Sequence, residues 1–469
     1  MTSSIVENKN LQYGPRDGGV SKWKLFAFLG CLYLMALLSM DMSMPSLVQR
    51  ETVRIDGPDG KPCLGTIWRP QSPKAVILIG HGVSSNQSIM ATSAKAFAKN
   101  GYIAVTFDFW GHGRSRERFD ETSNPGQIHA WAAWAREQFK GFPMAYLGHS
   151  MGGFSGAEAF VQDPVVGAFV AMGALPKQFP PCKTLVAMGR FEELFSVDQA
   201  RQKSQGKADV LTSPFSNHAL ETWDPVLIHR IVSWVNAALG FGPQSLYPWS
   251  NWIRSIAAVV LGCVAALFMA EQITSRLYRP PQPGSPRKST RRWSINPYRL
   301  TARLLGIRGI GVPPRSGSFL LACLQGILFS LVFALLLSWV LDKNMFTANL
   351  NHPARCGMWL LLTPFMVLLF LVDSWTLEQI PLVNAGTRFA VAAITWVAPL
   401  LVISVALRPL GSELAFGGMI LGIVAFICVI LAAVHAMATW AGGDYRAGAV
   451  ANGILFSWVI AFWFPLVWG

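Results

Sequence analysis

The chain has 469 residues, 52% of them hydrophobic, with 18 tryptophans and a formal charge of +14. That apolar content excludes an ordinary soluble protein and points to membrane spans. The charge is concentrated: residues 275–316 hold ten Arg or Lys and no acidic residue, whereas 50–245 hold 19 basic and 16 acidic ones, which argues against nucleic acid as a partner of that segment.

Residues 1–24 are polar and carry Lys9, Arg16, Lys22 and Lys24. The apolar run Leu25 to Met40 follows. No small-x-small cleavage site comes after it, so 1–48 reads as a polar segment with an uncleaved transmembrane anchor rather than a signal peptide. Trp23 and the Met-rich tail extend a run that is short for a span.

Residues 49–245 alternate strand and helix patterns. Gln49 to Ile55 and Pro62 to Trp68 flank the turn Gly57-Pro58-Asp59-Gly60. Ala75 to Ile79 is a buried-type strand running into Gly80-His81-Gly82. A helix is expected near Asn86 to Asn100, a strand at Tyr102 to Phe107, and a helix at Gln127 to Phe139. Further strands are expected at Met144 to Leu147, near Val165 to Met172 and at Thr184 to Met188, then an amphipathic helix from Asp224 to Leu239. Such alternation predicts a mostly parallel sheet with helices on both faces.

The segment 144–155 carries the chemistry. An apolar run enters Gly148-His149-Ser150-Met151-Gly152, a G-x-S-x-G pattern. This pattern places a serine on a sharp strand-to-helix turn with its hydroxyl above the sheet. Gly148 and Gly152 leave room where strand and helix approach each other. The free N–H of Met151, first in the following helix, can stabilise an oxyanion.

These features resemble the α/β-hydrolase family, in its compact esterase and monoacylglycerol-lipase-like branch. The residues that carry the likeness are His81-Gly82 after the third strand, Asp108 to Ser115 (DFWGHGRS), Gly148 to Gly153 (GHSMGG), an acidic loop after Gly189 and a late histidine. The likeness covers about 190 residues, and the remainder is not explained by it. It implies the order nucleophile, acid, histidine. In the family's G-x-x-D position this chain has Glu192, a known variant of the acid, with Glu193 as the alternative. His218, just before the last helix, falls where the family keeps its base. Val83, after His81-Gly82, is the implied second oxyanion donor, while His81 and His149 orient loops and Asp108 buttresses its turn. The implied chemistry is ester hydrolysis through Ser150, His218 and Glu192, on a small-molecule ester or lipid. Acyltransferase, peptidase and thioesterase readings share the same triad. No cofactor or metal is expected. The 39 positions from Ser150 to Gly189 leave little room for a cap domain.

Beyond 245 the composition changes. A span is expected at 246–274, then the basic loop 275–316, then five further spans in 317–469, which makes about seven with the anchor. The charge rule places 275–316 in the cytoplasm and the 49–245 domain on the opposite side. Pro297 to Arg308 is either a basic helix lying on lipid or a solvated loop. His435 is the clearest ionisable residue inside a span. The seven Cys show no metal-type spacing, and Cys63 and Cys182 leave one disulfide open. A transport or assembly protein with a non-catalytic hydrolase-like domain is the alternative function.

Overall fold

The computed structural model describes residues 30, 48–83, 85–243, 267, 296–306, 318–341, 353–378, 385–407, 412–442 and 444–463. The expectations for the N-terminal anchor, the span near 252–272 and most of the basic loop fall outside these residues.

Eight strands form one sheet: β1 (Val48–Asp56), β2 (Pro62–Pro70), β3 (Ala75–Gly80), β4 (Tyr102–Asp108), β5 (Met144–His149), β6 (Ala168–Met172), β7 (Lys183–Gly189) and β8 (Asp209–Ser213). Their order is β1-β2-β4-β3-β5-β6-β7-β8. The β1–β2 and β2–β4 pairs are antiparallel and all others parallel. The central strands AVILIG, YIAVTFD, MAYLGH and AFVAM are buried along their whole length, as strands covered on both faces must be. Side chains of β3 alternate between two cores. Val76 and Leu78 join Trp131, Phe107 and Phe160 under α2 (Asn124–Gln138) and α3 (Met151–Phe160). Ile77 and Ile79 join Phe97, Leu147 and Ile228 under α1 (Ala91–Lys99) and α5 (Pro225–Ala238).

Some element ends differ from the sequence expectation. The stretch 86–90 begins as a 3-10 turn, because the Asn86 side chain accepts the Ser88 N–H and Asp108 takes both the backbone and side-chain N–H of Gln87. Two elements were not anticipated, β8 and α4 (Val197–Ser204). The second is marked by a capping box in which Ser196 and Gln199 satisfy each other's backbone N–H. Cys63 and Cys182 are free thiols, so the disulfide left open between them does not form.

Among the described residues, the C-terminal half contains α6 (Pro297–Leu304), α7 (Phe319–Leu341), α8 (Pro353–Leu377), α9 (Ala385–Leu407), α10 (Ser412–Gly442) and α11 (Tyr445–Trp463). Three of these, over Pro353–Leu377, Gly386–Leu407 and Gly417–Ala441, are long and apolar enough to cross a membrane. Burial here is inverted relative to a soluble protein. Leu360, Leu361, Phe365 and Val402 are exposed, while Arg355, Ser374, Arg388, His435 and Asn452 are buried. His435 meets the Ser374 hydroxyl on a neighbouring helix at 3.4 Å. The start of the expected basic helix forms as α6. The Trp396 indole donates to the Tyr298 hydroxyl at 2.6 Å, that hydroxyl donates to Asp373, and the Asn296 amide donates to the Thr376 carbonyl at 3.1 Å. At the other end of α8 the buried Arg355 guanidinium donates to the carbonyls of Ala461 at 2.6 Å and Gly111 at 2.9 Å. Eighteen residues separate 355 from 373, about 27 Å of helix. The turn after β4 and helix α6 therefore touch opposite ends of α8.

The sheet presents one strained residue. Between β5 and α3, Ser150 adopts φ 50 and ψ −118, a region costing about 1–3 kcal/mol for a side-chain-bearing residue. Its N–H donates to the Met172 carbonyl at 2.8 Å, its carbonyl accepts from Gly153 at 2.8 Å, and the Gly152 N–H reaches the His81 carbonyl at 3.1 Å. A Cβ at Gly148 would lie 2.3 Å from the Gly152 carbonyl carbon, and one at Gly152 would lie 2.8 Å from that of Gly80. Because those neighbours are backbone and cannot turn aside, Gly148→Ala should destabilise the domain by about 3 kcal/mol or more. Thermal unfolding of the purified variant checks this; an unchanged midpoint would show that the elbow relaxes.

Candidate active site

Three side chains from three separate loops converge at the carboxyl edge of the sheet. Ser150 Oγ lies 2.9 Å from His218 Nε2. His218 Nδ1 lies 2.8 Å from Glu192 Oε2 and 3.0 Å from its Oε1. Ser150 comes from the elbow, Glu192 from the turn after β7, and His218 from the loop that leads into α5. With the imidazole neutral, Nδ1 carries the proton donated to Glu192, and bare Nε2 accepts from the Ser150 hydroxyl. Glu192 is further fixed by the Leu194 N–H, which donates to Oε1 at 2.9 Å. Its side chain is closed from solvent. Glu193 faces elsewhere: it accepts the backbone N–H of His218 at 3.1 Å and the Asn217 amide at 3.0 Å. Of the two acids considered, Glu192 is the one that meets the ring.

The surrounding residues position this chain. His149 packs against the His218 ring with centroids 4.9 Å apart, and its Nε2 donates to the His218 carbonyl at 3.0 Å. His81 donates from Nδ1 to the Gly82 carbonyl at 2.8 Å and accepts the Phe109 N–H on Nε2 at 3.1 Å. A Cβ on Gly82 would sit 3.2 Å from Ser150 Cβ, so the loop holding Val83 passes directly over the serine. His112 reaches the Val83 carbonyl through Nε2. Met151 is buried at the start of α3, where no preceding turn supplies an acceptor for its N–H. Asp108 accepts from Gln87 and from the Arg114 N–H and makes no contact with the His218 ring among the described hydrogen bonds.

Glu221 escaped the sequence reading. It lies three residues after His218 with its side chain wholly buried, and it accepts the Gly189 N–H at 2.6 Å. No motif marks it, since its placement depends on how the loop before α5 folds back over β7. Ligand-type atoms of His149, His218 and Glu221 lie within 4.8 Å of one another, a grouping that could hold a metal ion. Both ring nitrogens of His218 are engaged by Ser150 and Glu192, so binding one would break the serine–histidine chain.

Residues 71–235 match the family model described as Hydrolase_4, serine aminopeptidase S33. Solved structures similar to this chain include an esterase from Pyrococcus furiosus (16% identity, TM-score 0.37, covering 41% of this chain and 94% of that one). They also include a cold-adapted esterase from an Arctic intertidal metagenomic library (16%, 0.35, 41% and 94%) and an α/β serine hydrolase without lid from Xanthomonas campestris (17%, 0.36, 40% and 93%). No curated protein matches the sequence. Sheet order, elbow and the family match over residues 71–235 together show an α/β-hydrolase fold, followed by C-terminal apolar helices of membrane-spanning length.

Burial sets the protonation of the supporting histidines. It lowers His81 from 6.5 to about 4, and it lowers His149 to about 3, helped by the neighbouring His218 ring. Both rings stay neutral in the folded domain but take up protons in the unfolded chain below about pH 6.5. Stability is therefore fully present above 6.5 and falls as pH drops toward 4, by about 1.4 kcal/mol per pH unit for each ring. The unfolding midpoint should shift downward between pH 7 and pH 5. A midpoint that is flat or rising over that interval would contradict the neutral assignment.

Proposed function

We propose that this protein is a membrane-anchored serine hydrolase that cleaves carboxylic esters through an acyl-enzyme on Ser150. The observation that carries the reading is the unbroken Ser150–His218–Glu192 hydrogen-bond chain on a strained elbow. In the first step His218 Nε2 takes the Ser150 proton while Oγ bonds to the acyl carbon. Glu192 stabilises the imidazolium that forms. The N–H groups of Met151 and Val83 receive the oxyanion. Collapse of this intermediate breaks the bond to the alcohol oxygen, which leaves with the proton from His218. Water, deprotonated by the same ring, then releases the acid and restores the serine.

A lipid or acylglycerol-type ester is the favoured substrate. Phe154, Phe191, Phe215, Leu220 and Trp223 are exposed and flank the three reacting residues in the chain, an apolar rim suited to acyl chains. The same edge of the sheet meets the helical region through Gly111 and Arg355. In this reading the domain is extracytoplasmic and the basic loop cytoplasmic, with about seven spans. The contacts of Gly111 and Tyr298 at opposite ends of α8 support that sidedness. The matched family's description favours a second substrate class, peptides with a free amino terminus. Against it, Glu192, Glu193 and Glu221 are engaged or buried within the protein, so none is placed to receive a substrate ammonium group.

Fluorophosphonate labelling of membranes holding the full chain tests the proposal. The wild type should label and Ser150→Ala should not. Ester turnover should fall about 10⁴-fold or more in Ser150→Ala and about 10³–10⁴-fold in Glu192→Gln. An ester chain-length series alongside aminoacyl amides would separate the two substrate classes. If folded, inserted wild type fails to label, the domain is a binding module and the transport or assembly reading takes over.

A further inference from the structure

A buried arginine of the helical half reaches into the hydrolase domain. Arg355 stands in the first turn of α8 with almost no exposed surface. The helix dipole disfavours a cation there, and a buried guanidinium needs acceptors in a fixed arrangement. Its Nη1 donates to the Ala461 carbonyl of α11 at 2.6 Å, and its Nη2 donates to the Gly111 carbonyl, in the turn after β4, at 2.9 Å. The helices behind this bridge are close-packed. The Trp359 indole of α8 donates to the Ile454 carbonyl of α11 at 3.0 Å, and a Cβ on Gly453 would lie 2.6 Å from the Val367 backbone.

The turn that Arg355 meets grips the loop above Ser150 at two points. The Phe109 N–H donates to His81 Nε2 at 3.1 Å, and His81 Nδ1 donates to the Gly82 carbonyl at 2.8 Å. His112 Nε2 meets the Val83 carbonyl. Burial, then the neighbouring His81 ring, lowers His112 from 6.5 to about 3, so its ring carries one proton. On Nε2 that proton goes to Val83; on Nδ1 it would go to the Trp110 carbonyl, 3.0 Å away. Gly111 has a φ of +78, and a Cβ there would lie 2.6 Å from Phe119 Cα, so its carbonyl is held in a tight turn.

We propose that Arg355 is a positioning residue of the active site: it ties the turn after β4 to the α8–α11 pair, so that the helical half holds the loop carrying the Val83 N–H at the oxyanion. The inference rests on the serine hydrolase reading and on Val83 as an oxyanion donor. Such a donor works only within about 2.7–3.1 Å of the place the charged oxygen will occupy. The Met151 N–H meets that demand from a helix packed on the sheet. The Val83 N–H sits on a loop, and the turn that holds this loop is braced by Asp108 from within and by Arg355 from outside the domain. Because the donor acts on charge that develops during reaction, loosening it lowers kcat rather than substrate binding.

The test uses the full chain in lipid nanodiscs, as wild type, Arg355→Met and Arg355→Lys. Methionine keeps an apolar stem and removes the donors. Removing an oxyanion donor outright costs about 10²–10³ in kcat, so displacing one in Arg355→Met should lower ester kcat about 30-fold with KM little changed. Arg355→Lys keeps a charge-bearing donor and should recover part of that loss. The rate ratio of an ester to its thionoester should fall in Arg355→Met, because sulfur accepts hydrogen bonds poorly and the thionoester depends little on the donors. Amide hydrogen exchange should quicken at 109–115 and 81–83 in Arg355→Met, and not in β5. An unchanged ratio, or faster exchange spread equally over β5, would overturn the proposal by making Arg355 a support of the whole fold. If the wild type turns over no ester, the enzymatic reading fails, and the exchange pattern still decides whether Arg355 holds the loop.

Discussion

A serine held in a backbone conformation that its own side chain disfavours organises the hydrolase domain. The strain at Ser150 persists because its surroundings over-determine it. The Met172 carbonyl fixes its N–H, α3 fixes its carbonyl, and the Gly152 N–H is tied to His81 across the top of β3. The glycines at 148 and 152 are spaces in which backbone meets backbone, and Gly80 makes room for the Tyr146 hydroxyl. Two apolar cores press the sheet from both sides and supply the rigidity that keeps the turn from relaxing. The hydroxyl is thereby presented toward a ring that arrives from a loop 68 residues further along the chain.

The second organising constraint is electrical. The site gathers Glu192, Glu193 and Glu221 around one imidazole, with His149 packed behind it. Each acid is disposed of differently. Glu192 meets the ring proton, Glu193 is spent on the His218 backbone N–H and Asn217, and Glu221 lies fully buried against Gly189. The supporting histidines are neutral donors rather than charges, because burial makes the imidazolium too costly. A pocket so crowded with ionisable groups holds together only if those groups are neutral or paired.

How much of this was legible in the sequence follows from the kind of signal each part leaves. The central strands, the elbow and the early glycines are local patterns, and local sequence specifies them: β3 to β6 read as apolar runs, and G-x-S-x-G reads as a turn. The expectation of His218 and Glu192 comes from family order, and which acid faces the ring depends on a single residue of phase in the turn after β7. The short strand β8 left no signal, since its half-buried sequence DVLTS carries no strong alternation. Glu221 was invisible for a stronger reason. Its role arises from a loop folding back across the sheet, and nothing within ten residues of it in the chain announces that contact. Arg355 is similar: near the start of an apolar helix, it donates to the carbonyls of Gly111 and Ala461, 244 and 106 positions away, which no local pattern announces.

Arg355 also shows why the two halves belong in one chain. A guanidinium has five donors and cannot shed its proton, so burying one requires acceptors in a fixed arrangement. Here one acceptor comes from α11 and another from the turn that follows β4. That turn is braced by Asp108 and carries His112, whose ring reaches the Val83 carbonyl in the loop above Ser150. The path from helical bundle to proposed oxyanion loop is thus a sequence of buried hydrogen bonds with few soft links. In the proposed enzyme, the helical half does more than tether the domain near lipid. It meets the sheet at the edge where the serine lies, and its contact falls on the turn that supports the loop above that serine.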